Sequence, residues 1–444
     1  MSTPTILPPL TKGKQPRLPT VSDRTLDNGL RVLAVRRPGV PLVEARLRVP
    51  FAGPTGKRAV GFTAQVQLLG ETMLMGTDRR TAAQIAVDLQ TLGGSLSASV
   101  DADRLSVGAS ALSSGLPALL ELVGELLTGA SYPKHEVIGE RERLVQELLI
   151  YRSQPGVIAR EALMDRLYGD HPYGRELPTS NQVSEVKPGD VRRLHRRYVS
   201  PAGSILVLVG DLSPTRAIAQ VEKALAGWQS AGSDASVPEL PWYEPGPALL
   251  VDRPGAVQTS LRMAGPAPRR TDPDHAAMSL ANLVFGGYFS SRWVANIRED
   301  KGYTYSPHSV VEHPTAGSRI TLATDVATEV TAPALVETLY ELGRVATLPV
   351  AQAELDQARR YAVGALALST STQSGLAGTL SVLAAAGLGV EWLREHPARL
   401  ATVTVEQAHQ AASTYLAPTA LTTVLVGDAD RVQDPLLAVT DLER

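Results

Sequence analysis

Tyr198-Val-Ser-Pro201 leads through the apolar run Ile205–Val209 to Gly210-Asp211, and Tyr415-Leu-Ala-Pro418 leads through Leu421–Val426 to Gly427-Asp428. Both ends of the motif recur at an offset of 217 residues (415 minus 198, 428 minus 211), about half of the 444-residue chain. In each copy a helical pattern ends at the tyrosine and a proline follows. A β-branched strand then closes on a Gly-Asp turn. Two copies at this distance mean two similar halves. A solenoid would repeat every ~20–50 residues and need at least three units.

Each half mixes strand runs with long Ala/Leu-rich helical runs. Leu30–Val35 and Val43–Val49 read as strands in the first half, with Ala118–Leu127 and Glu136–Tyr151 as helices. Pro117 stands at a helix start, where proline is tolerated. In the second half Ala248–Val251 and Ser260–Met263 read as strands, and Asp274–Phe285 and Glu354–Ala367 as helices. The expected class is α+β: two homologous α/β-layered domains, each an antiparallel-rich sheet covered by helices. The boundaries fall at a proline-rich tail (1–20), a first domain (21–228), a Ser/Gly/Pro-rich linker (229–247) and a second domain (248–444).

Composition narrows the chemistry. A formal net charge of −2 argues against a nucleic-acid or anionic-membrane partner, and the absence of cysteine removes disulfides, thiolate metal sites and cysteine nucleophiles. The first twenty residues contain five prolines and no apolar core of signal-peptide length, and runs such as Ile205–Val209 fall far below the ~20 residues of a membrane span. A cytoplasmic protein is the default expectation.

Gly61–Thr77 reads GFTAQVQLLGETMLMGT. It resembles the zinc-site helix of the pitrilysin/insulinase metallopeptidase superfamily, in its mitochondrial-processing-peptidase-like branch. There H-x-x-E-H puts two histidines on one helix face to grip zinc, and the glutamate activates the metal-bound water. Registering on Gly76-Thr77 puts Gln67 at the first histidine, Gly70 at the general base and Glu71 at the second histidine. The resemblance places Glu147, in ERERLVQELL, at the third ligand. A neutral amide is a poor zinc ligand, no imidazole stands at any of the three positions, and glycine cannot take a proton from water. His308 and His313, near prolines, read as a solvated loop rather than a substitute pair. The expectation is a degenerate site with no metal in this chain and no activity alone.

Other segments follow the family in order from about residue 22 to 440. Leu26-Asp-Asn-Gly-Leu30 resembles the opening strand, and Leu92–Ala98 the strand along which active members lay an extended peptide, giving Ser97, Ala98 and Ser99 as candidate substrate-binding residues. His171-Pro-Tyr-Gly174 resembles a turn, with His171 structuring it. Leu283–Ser306 follows the family almost continuously, and its Arg298 and Tyr305 match an arginine and tyrosine that the C-terminal domain contributes to the active cleft. Arg298 should end a helix, Gly302 should permit the left-handed turn, and Tyr305 should start the next strand.

The resemblance implies half of a clamshell peptidase. The leading expectation is the non-catalytic subunit of a heterodimeric zinc metallopeptidase, binding an unfolded or leader peptide. Zinc would sit in a homologous partner carrying H-x-x-E-H, and this chain would supply Arg298 and Tyr305 in trans. The alternatives are a purely structural or chaperone-like inactive homologue and a stand-alone peptide-binding homodimer.

Overall fold

The computed structural model describes residues 19–55, 59, 61–229, 236–241 and 244–444. Most of the expected tail and part of the expected linker lie outside the described residues. The first sheet contains β1 (Thr20–Thr25), β2 (Arg31–Arg36), β3 (Leu42–Pro50), β4 (Ser95–Val100), β5 (Arg104–Leu112) and β6 (Ile205–Gly210), in the order β1-β2-β6-β3-β5-β4. The second contains β7 (Ala248–Asp252), β8 (Gln258–Ala267), β9 (His308–Glu312), β10 (Ser318–Ala327), β11 (Thr422–Gly427) and β12 (Leu442–Glu443), in the order β12-β7-β11-β8-β10-β9.

Five strands correspond one to one. The sixth does not: β1 enters from the N-terminal side and runs antiparallel to β2, whereas β12 enters from the C-terminus and runs parallel to β7. The repeated motif is the inner strand of each sheet, β6 and β11, each parallel to one neighbour and antiparallel to the other. Helices Pro188–Tyr198 and Val405–Tyr415 end at the tyrosines the repeat marked. The mixed α+β class is as the sequence implied.

Burial explains the strand patterns. Along β3, Val43, Ala45, Leu47 and Val49 are buried and alternate with half-exposed Glu44, Arg46 and Arg48, which is a one-sided strand. In β6 and β11 the run is continuous because both faces are covered. The second cover is exchanged between halves. Leu376, Leu380 and Leu383, on helix Gln373–Ala385 of the second half, pack on Leu33, Val35, Val207 and Val209 of the first sheet. Reciprocally Ala159, Leu163 and Met164, on helix Pro155–Tyr168 of the first half, pack with Ala264, Val424 and Val426 of the second.

An arginine seats each lent helix. Arg46 and Arg262 occupy equivalent positions, opposite Val207 and Val424. Arg46 Nη1 donates to the carbonyls of Ala45 (2.9 Å) and Ala109 (3.4 Å), and Arg262 Nη1 to those of Leu261 (2.9 Å) and Thr324 (2.8 Å). Arg46 Nη2 then reaches Ser374 Oγ at 2.7 Å, on the lent helix. On the other side Gly156 lies so near Arg262 that a Cβ would come within 2.6 Å of Nη2.

A buried polar knot closes the same interface. Asp103, in the β4–β5 turn, accepts from Tyr173 Oη (2.5 Å) and from the backbone of Thr315 (3.0 Å) in the second half. The Ala316 N–H in turn donates to Tyr173 Oη at 3.0 Å. His171 structures its turn as expected: Nδ1 accepts from the Tyr173 N–H and Nε2 lies 3.1 Å from the Pro238 carbonyl. Burial alone would raise the Asp103 carboxyl, but the Tyr173 hydroxyl and the Arg104 charge hold it below the ordinary carboxylate range. The folded value therefore lies below the unfolded one. Its stabilisation is complete above about pH 3.9 and is lost as pH falls through the folded value.

Asp103→Ala would leave a buried hydroxyl and N–H without an acceptor and should cost about 2–4 kcal/mol in urea denaturation. Asp103→Asn should reduce the acid-dependent loss of stability below pH ~4.

Candidate functional site

The degenerate motif lies on helix Phe62–Thr72, entered through Gly61 at φ 78°. Ala64, Leu68, Leu69 and Thr72 are buried, which leaves Gln67 half-exposed and Glu71 exposed on the other face. Helix Lys134–Tyr151 packs beside it and presents Glu140, Arg143 and Glu147 at i, i+3 and i+7, so that Arg143 has a carboxylate one turn away on either side. Arg143 draws all the local carboxylates onto one guanidinium. Nη2 meets Glu71 Oε2 at 3.0 Å, Nε donates to Glu140 Oε2 at 2.6 Å, and Nη1 pairs with Glu147. The hydrogen bond to Glu140 is the main cause of a raised Arg143 pKa, with Glu147 adding to it against partial burial.

These residues do not fit zinc. The structure brings Glu71 and Glu147 together, but a fixed cation stands between them and would repel a metal ion. Gly70 is crowded as well: a Cβ there would lie 3.1 Å from Val100 Cγ1 and 3.3 Å from Cγ2, so a larger residue needs the Val100 side chain to give way by a few tenths of an ångström. Among the described residues no group of three or more His, Asp or Glu is disposed to hold a metal.

A groove remains around the lost site. A cavity of about 500 Å³ is lined by Phe62, Val66, Gln67, Val100 and Arg104. It shares Arg160, Glu176, Leu177 and Glu312 with a second, of about 670 Å³, bounded by Tyr151, Gln154, Arg262, His308 and Val310. The shared wall is an ion-pair network joining the halves. Arg160 Nε donates to Glu176 Oε2 (2.7 Å), and Arg319 Nη2 lies 2.6 Å from Glu312 and 3.3 Å from Glu176. Burial would raise the Glu312 carboxyl, but Arg319 and Arg160 keep it lowered.

Strand β4 is an open sheet edge beside this groove. The Asp101 N–H donates inward to Arg104 O at 2.9 Å. Antiparallel alternation then turns the backbone groups of Ser99, Ser97 and Ser95 toward β5 and those of Val100, Ala98 and Leu96 outward. Of the three candidate substrate residues, Ala98 thus offers its own N–H and C=O to an added strand. Ser97 and Ser99 offer exposed side chains on the other face.

Arg298 and Tyr305 meet on the second half. Arg298 lies in a widened π-turn (Ala295–Asp300) anchored by buried Trp293 and Ile297. Trp293 stacks on Phe285 at 5.4 Å, and its Nε1 donates to Thr338 Oγ1 at 3.0 Å. Gly302 reverses the chain at φ 65°, as expected, but Tyr305 does not begin a strand; β9 starts at His308. Thr304 is pinned instead, its Oγ1 donating to Asp325 O at 2.8 Å, and Tyr305 projects outward, 82% exposed. The Arg298 guanidinium lies 5.1 Å from the Tyr305 ring and 4.6 Å from that of Phe289, which is 61% exposed, and Nε reaches Glu299 at 3.2 Å.

Arg143, Val100 and Phe289 were not among the residues singled out from sequence. Arg143 left a signal, the ERER stripe that puts an arginine one turn from Glu147. Val100 left none, because its role depends on how two distant segments meet.

Residues 67–180 match the family described as insulinase (peptidase family M16), and residues 185–361 match the peptidase M16 inactive domain. A Mycobacterium leprae protein named as an uncharacterized zinc protease is 27% identical over 307 residues, 67% of each chain. A Streptomyces coelicolor protein with the same description is 25% identical over 297 residues, 65% of this chain and 64% of that one. The matched stretch thus spans about two thirds of these relatives. Among solved structures, a peptidase M16 inactive domain from Pseudomonas fluorescens superposes with a TM-score of 0.83 at 23% identity, covering 92% of this chain and 98% of that one. A Helicobacter pylori protease gives 0.81 at 18%, covering 93% and 100%. With the zinc motif replaced and the two-sheet fold retained, the chain belongs to the M16 (pitrilysin/insulinase) metallopeptidase family as an inactive peptidase homologue. Among the described residues no helix is long and apolar enough to cross a membrane.

Restoring the motif alone by Gln67→His, Gly70→Glu and Glu71→His should leave zinc well below one equivalent by elemental analysis. Adding Arg143→Leu and Val100→Ala, which remove the competing cation and the crowding, should raise it.

Proposed function

We propose that this chain is the non-catalytic subunit of a heterodimeric zinc metallopeptidase. A homologous partner carries H-x-x-E-H, zinc and the general base. This chain contributes part of the peptide chamber and presents Arg298 and Tyr305 to the partner's site. The observation that carries the reading is an asymmetry: the zinc element lacks imidazoles and has its carboxylates paired with Arg143, whereas the Arg298–Tyr305 element stays anchored and exposed. A tyrosine 82% exposed beside an exposed phenylalanine suits an interface better than a solvated surface.

The chemistry follows from the groups. A guanidinium and a phenol aimed at a scissile carbonyl donate to the oxyanion as charge develops there, and such donors are commonly worth about 2.7–4 kcal/mol each. The cation–π contact orients Arg298 but uses neither its outer N–H groups nor the Tyr305 hydroxyl. Peptide would lie along the β4 edge through the outward backbone of Ala98, which reads main chain and leaves sequence preference loose. The description of the relatives as zinc proteases agrees with a hydrolytic assembly.

One observation favours the structural alternative: Arg298 already has Glu299 and Phe289 as partners, enough for a role confined to this surface. Reconstitution with a zinc-bearing homologue separates the two. Arg298→Ala and Tyr305→Phe should each lower kcat about 100-fold or more with assembly and zinc content unchanged; wild-type turnover in both would remove the shared-site mechanism. Ala98→Pro, which deletes an outward N–H, should raise KM for extended peptides with a smaller effect on kcat.

A further inference from the structure

The second half brings three imidazoles side by side, His275 and His396 buried and His313 half-buried. His275 opens helix His275–Phe285, and its ring centroid lies 5.3 Å from that of His313 and 5.2 Å from that of His396. His396 stacks on Trp392 at 4.1 Å with the planes 11° apart. His313 corrects the solvated-loop reading: it packs on His275, and its Nδ1 lies 2.8 Å from Ser318 Oγ.

Arg270 joins this group, its guanidinium 6.0 Å from the Trp392 ring. Among the described residues it makes no ion pair and no hydrogen bond, and its Nε is buried without a partner. The indole N–H of Trp392 is buried and unpartnered too. Asp272 and Asp274 precede His275 in the chain, and the strongest electrostatic effects on its ring are those of basic groups. They come from His396 and Arg399 on helix Trp392–Thr402, His313 after β9, and Arg270 after β8. Glu395, which pairs with Arg399 at 3.1 Å, is half-exposed. Burial first and these like charges second push His275 down to about 2 and His313 and His396 to about 4.

Buried donors without acceptors are costly, and here the Arg270 Nε and the Trp392 indole N–H are two of them beside three imidazoles. A metal cation would meet the unpaired Arg270. An oxyanion would supply both the missing charge and the missing acceptors.

The geometry points to a site for an oxyanion, a carboxylate or phosphate group, held by Arg270 with His275, His313 and His396 and entered from the cleft past His313. His313 gives that access because it lines the first cavity together with Glu312 and Pro314. The shared chemistry has two sources, a free inorganic anion or the carboxylate of a bound peptide.

Thermal unfolding of the full chain near pH ~6, with inorganic phosphate against chloride at matched ionic strength, reads the first source; a short peptide against its C-terminal amide reads the second. An oxyanion that binds should raise Tm by about 2–4 °C. Arg270→Gln should lose most of that rise and Arg270→Lys should keep part of it. His313→Gln, at the cleft rim, serves the same purpose should the Arg270 variants not fold. A rise with phosphate alone assigns the site to a free anion, and a rise with the peptide acid but not its amide assigns it to peptide carboxylates. No rise with any probe, or an equal rise in wild type and variants, overturns the site.

Discussion

Each sheet of this chain completes its packing with a helix that belongs to the other half. The apolar inner strands β6 and β11 have two faces to bury, and each half covers one face with its own helices. Without helix Gln373–Ala385 the first sheet would expose Leu33, Val35, Val207 and Val209; without helix Pro155–Tyr168 the second would expose Ala264, Val424 and Val426. At about 1.5–3 kcal/mol for each large side chain buried, the exchange outweighs the surface ion pairs, whose typical value is about 0–1 kcal/mol. The halves are therefore one folding body, and the groove between them has fixed walls.

That ranking bears on the lost zinc site. The carboxylates around Arg143 are about half exposed, with side-chain accessibilities of 43% for Glu71 and 54% for Glu147, so their ion pairs contribute little to the fold. What they change is local affinity. The positive charge beside these carboxylates is supplied by the Arg143 guanidinium, tethered on the neighbouring helix. Val100 crowds the base position. Charge and shape thus disfavour zinc for independent reasons, and a single reverting substitution would undo only one of them.

Much of the architecture was legible because it rests on local rules. The 217-residue repeat marked β6 and β11, the tyrosines marked the ends of the helices before them, and alternation in Val43–Val49 gave a one-sided strand. The helix exchange was not legible. A continuous apolar run such as Ile205–Val209 says that two faces are buried but not whose helix buries the second. The candidate site divides the same way. The absence of imidazole at 67 and 71 is a statement about residue types and can be read directly. The pairing of Glu71 with Arg143, 72 positions away, and the crowding of Gly70 by Val100 depend on how separate elements cross. Tyr305 shows the opposite limit: the glycine turn was read correctly, but the hydrogen bond from Thr304 to Asp325 delays the strand and leaves the tyrosine in the open.

The two ends of the molecule keep different kinds of polar residue, and the difference carries a functional argument. Around Gln67 the Glu71, Glu140 and Glu147 carboxylates are all taken up by Arg143, so they have little to offer a metal ion. Around Arg298 the guanidinium is held largely by ring faces and one neighbouring carboxylate, which fix its position while leaving donor capacity unused. Trp293 and Ile297 belong to the second core, so the fold itself accounts for the anchored helix; the fold does not account for the exposed phenol and phenyl rings beside Arg298. Such a construction costs surface exposure of Phe289 and Tyr305, and that cost is offset when a second surface covers them.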